Sequence, residues 1–214
     1  MDRIVFENVV PHVFKTAGNM VSEVWNNNIE FEKNHLYLVE AASGKGKSTF
    51  CSYVIGYRHD YDGSILFDNI NVSTLKKSQW TRIRQVNISY LFQELRLFPE
   101  LTAYENVEIK NRLTGFKSKK EIESWFERLG IGDKLYSNIG VMSYGQQQRV
   151  ALIRALVQPF DFILLDEPIS HLDDANADVM GAILMEEAHK QGAGVIITSI
   201  GKHISLDYEK TFRL

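Results

Sequence analysis

An apolar run that ends in a loop rich in glycine and lysine restricts the fold of this chain more than any other feature. His35-Leu36-Tyr37-Leu38-Val39-Glu40 reads as a strand, and Ala41-Ala42-Ser43-Gly44-Lys45-Gly46-Lys47-Ser48-Thr49 follows at once, with a helix expected behind it. A strand, a glycine loop and a helix in that order form the setting for a phosphate-binding loop. Backbone N–H groups curl around phosphate oxygens, and the helix N-terminus adds its positive end. The glycines permit close approach, Lys47 bridges phosphate oxygens and the Ser48 hydroxyl is a Mg²⁺ ligand. Ala41 stands where the pattern G-x-x-x-x-G-K-[ST] has its first glycine. A methyl group is tolerable there only if the residue needs no positive φ.

Strand and helix signals alternate along the rest of the chain. Ile4-Val5-Phe6, Ile29-Glu30-Phe31, Gly63 to Asp68, Ile88 to Phe92, Phe160 to Leu165 and Val195 to Thr198 read as strands. Thr102-x-x-Glu105, Ser118-x-x-Glu121 and Ser143-x-x-Gln146 have capping-box spacing, which predicts three helix starts. The helix from Lys119 should stop at Gly130. A helix from about Asp174 to Gly192 should bury Val179, Met180, Ile183 and Leu184 on one face. Such alternation predicts an α/β domain with a mostly parallel sheet, and 94–156 reads as an inserted helical part between 1–93 and 157–214.

A second constellation lies at Phe162-Ile163-Leu164-Leu165-Asp166-Glu167. A buried strand delivers two carboxylates to its C-terminal edge, where ligands sit in open α/β sheets. Asp166 can hold Mg²⁺ through water and Glu167 can polarise an attacking water. Neighbouring strand residues point to opposite faces, so the two carboxylates can take different roles.

Composition narrows the field. At 214 residues the chain can build one substantial core, or one core with a satellite. Its net charge of −3 argues against a nucleic-acid binder. The clusters Lys76-Lys77 with Arg82 and Arg84, and Lys117 with Lys119-Lys120, read as solvated helix faces. The single cysteine, Cys51, excludes an internal disulfide and reads as a buried structural thiol. No apolar run approaches 18 residues and no signal peptide is expected, so a membrane role would need a partner.

Met142-Ser143-Tyr144-Gly145-Gln146-Gln147-Gln148-Arg149-Val150-Ala151 resembles the ATP-binding cassette (ABC) signature L-S-G-G-Q-Q-Q-R-V-A. Leu91 to Pro99, continuing through Leu101-Thr102 to Glu105-Asn106-Val107, resembles the family's Q-loop and transporter-facing segment. Ser170-His171-Leu172-Asp173 resembles its D-loop. The motifs arrive in the family's order and cover essentially the whole chain. The resemblance implies a P-loop NTPase: a RecA-like core with a mostly parallel sheet, an N-terminal antiparallel β part and an inserted helical subdomain. It further implies an ATPase that uses ATP and Mg²⁺ and works as a homodimer or a dimer with a paralogue. That dimer would sit at the cytoplasmic face of a membrane, against an integral membrane transporter subunit gripped by residues 93–107.

The nucleotide contacts so implied are Ser43, Gly44, Lys45, Gly46, Lys47, Ser48 and Thr49, with Ser143, Gly145, Gln146 and Asp173. Ser143 and the Gly145 amide would act in trans on the partner's ATP. Ser48, Gln93 and Asp166 would surround the metal, and Glu167, Gln93 and Ser199 would serve hydrolysis. For adenine stacking the candidate is Phe14, with Val13 and His12 as alternatives. Two further departures from the family pattern stand beside Ala41. Tyr144 replaces the first signature glycine, and its ring either crowds the trans phosphate or points elsewhere. Ser199 replaces the switch histidine, with His203 four residues on. The compact length is most like the lipoprotein-releasing and macrolide-exporter subunits. A regulatory switch that moves a membrane partner without cargo is the alternative, and a plain P-loop kinase is disfavoured by the signature run.

Overall fold

The computed structural model describes residues 1–15, 21–42 and 44–214; Ser43, expected in the phosphate loop, lies outside them. The strands are β1 (Arg3–Pro11), β2 (Asn28–Glu32), β3 (Leu36–Glu40), β4 (Tyr61–Phe67), β5 (Ile70–Asn71), β6 (Ile88–Leu91), β7 (Phe162–Asp166), β8 (Gly194–Ser199) and β9 (Lys210–Arg213). The helices are α1 (Lys47–Val54), α2 (Lys77–Val86), α3 (Ala103–Asn111), α4 (Lys119–Arg128), α5 (Tyr144–Leu156) and α6 (Asp174–Gln191).

Two sheets result. An antiparallel one has the order β2-β1-β4-β5, and a parallel one runs β6-β7-β8-β3-β9. The hydrophobic patterns explain the difference. β2 alternates exposed and buried residues, as a sheet with one wet face requires, whereas every residue of β7 and β8 is buried. Because side chains alternate across a strand, the parallel sheet feeds two cores. Leu36, Leu38, Ile163, Leu165, Val195 and Ile197 face α5, α6 and the α3–α4 region. Tyr37, Val39, Phe162, Leu164 and Ile196 face α1 and the antiparallel sheet. On that second side Phe50 of α1 stacks on Phe6 of β1 with ring centroids 5.3 Å apart, which seats the phosphate-loop helix against the antiparallel layer.

The three expected capping boxes are present at Thr102, Ser118 and Ser143. Gly130 follows α4 with φ 65°, and Gly192 ends α6 with φ 61°, the left-handed stop glycine provides without penalty. Three expectations need correction. Val179 is solvent-exposed, and the packed face of α6 is Ala177, Met180, Ile183 and Leu184. Arg84 does not sit on a solvated face: it donates to the Ile55 and Gly56 carbonyls and lies over the Tyr57 and Trp80 rings. Lys117 is buried, its Nζ 2.8 Å from the Glu187 carboxylate and lying over the Trp125 ring.

That last pair makes a measurable claim. Removing one member of a buried ion pair leaves the other charge uncompensated, at a cost of about 3 kcal/mol. Lys117→Ala should therefore lower the urea midpoint with little change in slope, while Lys119→Ala, at an exposed position two residues away, should leave it in place.

Candidate nucleotide site

All four loops that matter leave the same edge of the parallel sheet, because all its strands run the same way. β3 leads into the phosphate loop, β6 into Gln93, β7 into Glu167 and β8 into Ile200. Ala41 is outside the left-handed region, so its methyl group is accommodated, and its N–H donates to the Ser199 carbonyl at 3.1 Å. Gly44 and Gly46 do carry positive φ, 77° and 102°. At Gly46 an added Cβ would also lie 2.9 Å from Cε2 of Phe14. A cleft of about 460 Å³ opens here, lined by Val13, Phe14, Gly44, Gly46, Lys47, Ser48, Thr49, Gln93, Glu167 and Ile200.

The two carboxylates play different parts, but strand alternation is not the cause, because Glu167 lies just beyond the end of β7. Asp166 is buried and accepts on both oxygens: Thr198 donates to Oδ1 at 2.5 Å, while Ser48 at 2.9 Å and Tyr90 at 3.2 Å donate to Oδ2. Burial pushes the Tyr90 phenol well above its usual range, so it remains a protonated donor. Burial, reinforced by Asp166, likewise pushes the Cys51 thiol up, and this fully buried cysteine is the inert structural thiol expected of it. Glu167 has left-handed backbone at φ 51°, strained for a residue with a Cβ, and its N–H donates to the Thr198 carbonyl at 3.1 Å. The turn aims its side chain back into the cleft, where Lys47 Nζ lies 3.6 Å from Oε1 and Gln93 Nε2 donates to Oε2 at 3.2 Å. Lys47 itself is buried and donates to the Ala41 and Ala42 carbonyls at 2.9 and 3.2 Å, acceptors that a phosphate could replace.

Several expected residues stand elsewhere. Lys45 is exposed and Thr49, although it lines the cleft, accepts from Arg58 at 3.2 Å. Val13 and Phe14 both border the cleft, but His12 turns away to Asp62, 3.2 Å distant. Ser199 does not present its hydroxyl to the cleft. It donates to the Lys202 carbonyl at 2.7 Å and accepts from the Gly201 N–H at 3.0 Å, which pins its own loop. His203 faces Glu40 at 3.7 Å and packs edge-on against Tyr208. Sequence reasoning missed Thr198, Tyr90 and Ile200. A hydroxyl at the next-to-last residue of a buried strand was the signal available for the first two.

The signature residues form a separate surface at the N-terminus of α5. Ser143 Oγ accepts from the Gln146 N–H at 3.3 Å and Gln146 Oε1 accepts from the Ser143 N–H at 2.9 Å. Gly145 is closely packed: a Cβ there would lie 3.1 Å from Leu172 Cδ2 and 3.2 Å from the His171 carbonyl, so a neighbour would have to give by a few tenths of an ångström. The Tyr144 ring turns inward to its own chain, its hydroxyl 3.0 Å from the Gln93 carbonyl and its ring centroid 4.4 Å from that of His171. Asp173 caps α6 by accepting from the Asn176 backbone and side-chain amides at 2.9 and 2.8 Å, which holds its carboxyl below the usual range. None of Ser143, Gly145, Gln146 or Asp173 lines the cleft of its own chain.

A phosphate loop, a carboxylate-bearing strand end and a signature helix are thus in place, and a model of the ABC transporter family matches residues 25–170. The chain belongs to the ABC transporter family. It is 33% identical to the ABC transporter ATP-binding protein YclH of Bacillus subtilis over 87% of this chain and 83% of that protein. It is 29% identical to the lipoprotein-releasing system ATP-binding protein LolD of Hahella chejuensis, over 87% and 82% respectively. Against the macrolide export ATP-binding/permease protein MacB of Shewanella sp. strain ANA-3 it is 29% identical over 90% of its own length but spans only 30% of that protein. Among solved structures it is similar to the ABC transporter cassette MJ0796 in a dimeric post-hydrolysis state bound to ADP and Pi. That match has 28% identity and a TM-score of 0.75, covering 92% of this chain and 87% of that one. This ABC chain is an ATP-binding ATPase, and among its described residues no helix is long and apolar enough to cross a membrane.

The approach at Gly46 makes the loop testable by itself. Gly46→Ala should weaken binding of a fluorescent ATP analogue at least ~10-fold, with the far-UV spectrum unchanged. Wild-type affinity in that variant would mean that close backbone approach is unnecessary.

Proposed function

We propose that this ABC ATPase is the energy-coupling subunit of a membrane transport complex, and that its ATP sites are completed only when two chains meet. The convergence of Lys47, Ser48, Gln93 and Glu167 on one cleft, with Asp166 buried beneath it and bonded to Ser48, supports the reading. The loop amides and Lys47 hold the β- and γ-phosphates. The oxygens of Ser48, Asp166 and Gln93 are the hard donor set that Mg²⁺ prefers, and the bound ion would neutralise phosphate charge. Glu167, oriented by Gln93 through one oxygen, accepts a proton from the attacking water on the other. Phe14 offers the adenine a face beside Gly46.

Each α5 N-terminus presents the Gly145 amide and Ser143 toward the partner's γ-phosphate, and Asp173 borders the same interface, so nucleotide joins a two-fold dimer. The dimer is of like chains or of this chain with a paralogue. The helical part, 94–156, moves against 1–93 and 157–214, and residues 93–107 meet an integral membrane subunit at the cytoplasmic face. LolD and the MacB cassette support a compact exporter or lipoprotein-releasing type of system.

Hydrolysis proceeds without a switch histidine, since Ser199 is occupied within its loop and His203 is turned to Glu40. Mg²⁺-ATP turnover by wild type should exceed that of Glu167→Gln by about 100-fold. Ser199→Ala should fall far short of the ~100-fold loss that follows removal of a transition-state donor. Equal turnover by wild type and Glu167→Gln would make the chain an ATP-binding switch instead of a motor.

A further inference from the structure

Tyr144 occupies a position where the signature pattern has glycine, and what it touches is specific. Its hydroxyl donates to the Gln93 carbonyl at 3.0 Å, and the Gln93 side-chain amide in turn donates to Glu167 at 3.2 Å. The segment just beyond is strained: Leu95 and Arg96 both have left-handed backbone, at φ 58° and 49°. Both of their carbonyls accept from the guanidinium of Arg154, at 2.7 Å in the case of Arg96. Tyr144 begins α5 and Arg154 lies in its last turn. One helix therefore grips the loop on both sides of Glu94, which explains how two unfavourable backbone conformations persist side by side. With glycine at 144 the Gln93 carbonyl would lose that donor and the grip would be single-ended.

We propose that Tyr144 is a positioning residue for ATP hydrolysis: its hydroxyl holds the Gln93 main chain so that the Gln93 side chain meets Glu167. This rests on the hydrolytic roles assigned above to Gln93 and Glu167. The ring, parked against His171, stays on its own chain. The substitution thus ties the signature helix to the catalytic carboxylate within one subunit.

The test uses the full chain as wild type, Tyr144→Phe, Tyr144→Gly, Gln93→Ala and the Tyr144→Phe/Gln93→Ala double variant. Steady-state Mg²⁺-ATP kinetics and amide hydrogen exchange of residues 92–97 without nucleotide are both read. Loss of one hydrogen bond should lower kcat about five-fold in Tyr144→Phe with KM nearly unchanged. Tyr144→Gly should behave similarly, and exchange across 92–97 should rise in both. In the Gln93→Ala background Tyr144→Phe should cost nothing more, because the group being positioned is gone. Unchanged kcat and exchange in Tyr144→Phe would overturn the proposal, as would additive losses in the double variant or a defect confined to Tyr144→Gly. If wild type turns over no faster than Glu167→Gln, the hydrolytic reading fails separately. The exchange comparison then decides alone whether the hydroxyl holds the loop.

Discussion

The carboxylate of Asp166 is the tie on which the nucleotide end of the molecule depends. It accepts from Thr198 on β8, from Tyr90 on β6 and from Ser48 at the start of α1. One side chain at the end of a wholly buried strand thereby fastens its two neighbouring strands and the phosphate-loop helix. Three hydroxyl donors satisfy the buried carboxyl oxygens. The apolar strand beneath it keeps the tie in place, with Ile163 and Leu165 packed on one face and Phe162 and Leu164 on the other.

Glu167 depends on the same strand but escapes its direction. Its left-handed turn sends the carboxylate into the cleft, where Lys47 and Gln93 meet it. The strain at Glu167, Leu95 and Arg96 sits in two loops on either side of one cleft, each held by hydrogen bonds from regular structure: Thr198 for the first, Arg154 for the others. Strain confined in this way marks where a backbone is held for function rather than for packing. Here it lies in the loops after β6 and β7, the first of which Tyr144 and Arg154 of α5 hold by hydrogen bonds.

Much of this was legible in the sequence because its causes are local. The phosphate loop, the strand carrying Asp166 and Glu167, the three capping boxes and the stop glycines at 130 and 192 each follow from residues a few places apart. Elements with little apolar content were harder to read: α2, which buries only Trp80, showed only as a basic cluster on a helix face, and β5 and β9 are short with few core residues. Side-chain partners distant in sequence were hidden for a different reason. Lys117 finds Glu187 seventy residues away, and Tyr144 finds Gln93 fifty-one residues back. In the first case a charge run conceals a buried cation, and in the second a misfit in the signature conceals a contact. Ser199 and His203 are a third case, since position along the chain does not reveal that the Ser199 hydroxyl bonds within its own loop and that His203 faces Glu40.

The signature surface lines no part of the cleft of its own chain, and in the proposed dimer it completes the site of the other. The account therefore stands or falls on association. Sedimentation velocity of Glu167→Gln, which retains the binding groups but lacks the base, is the most direct measurement. The account predicts a monomer without nucleotide and with Mg²⁺-ADP, and a dimer with Mg²⁺-ATP. A species that sediments identically under all three conditions would contradict it.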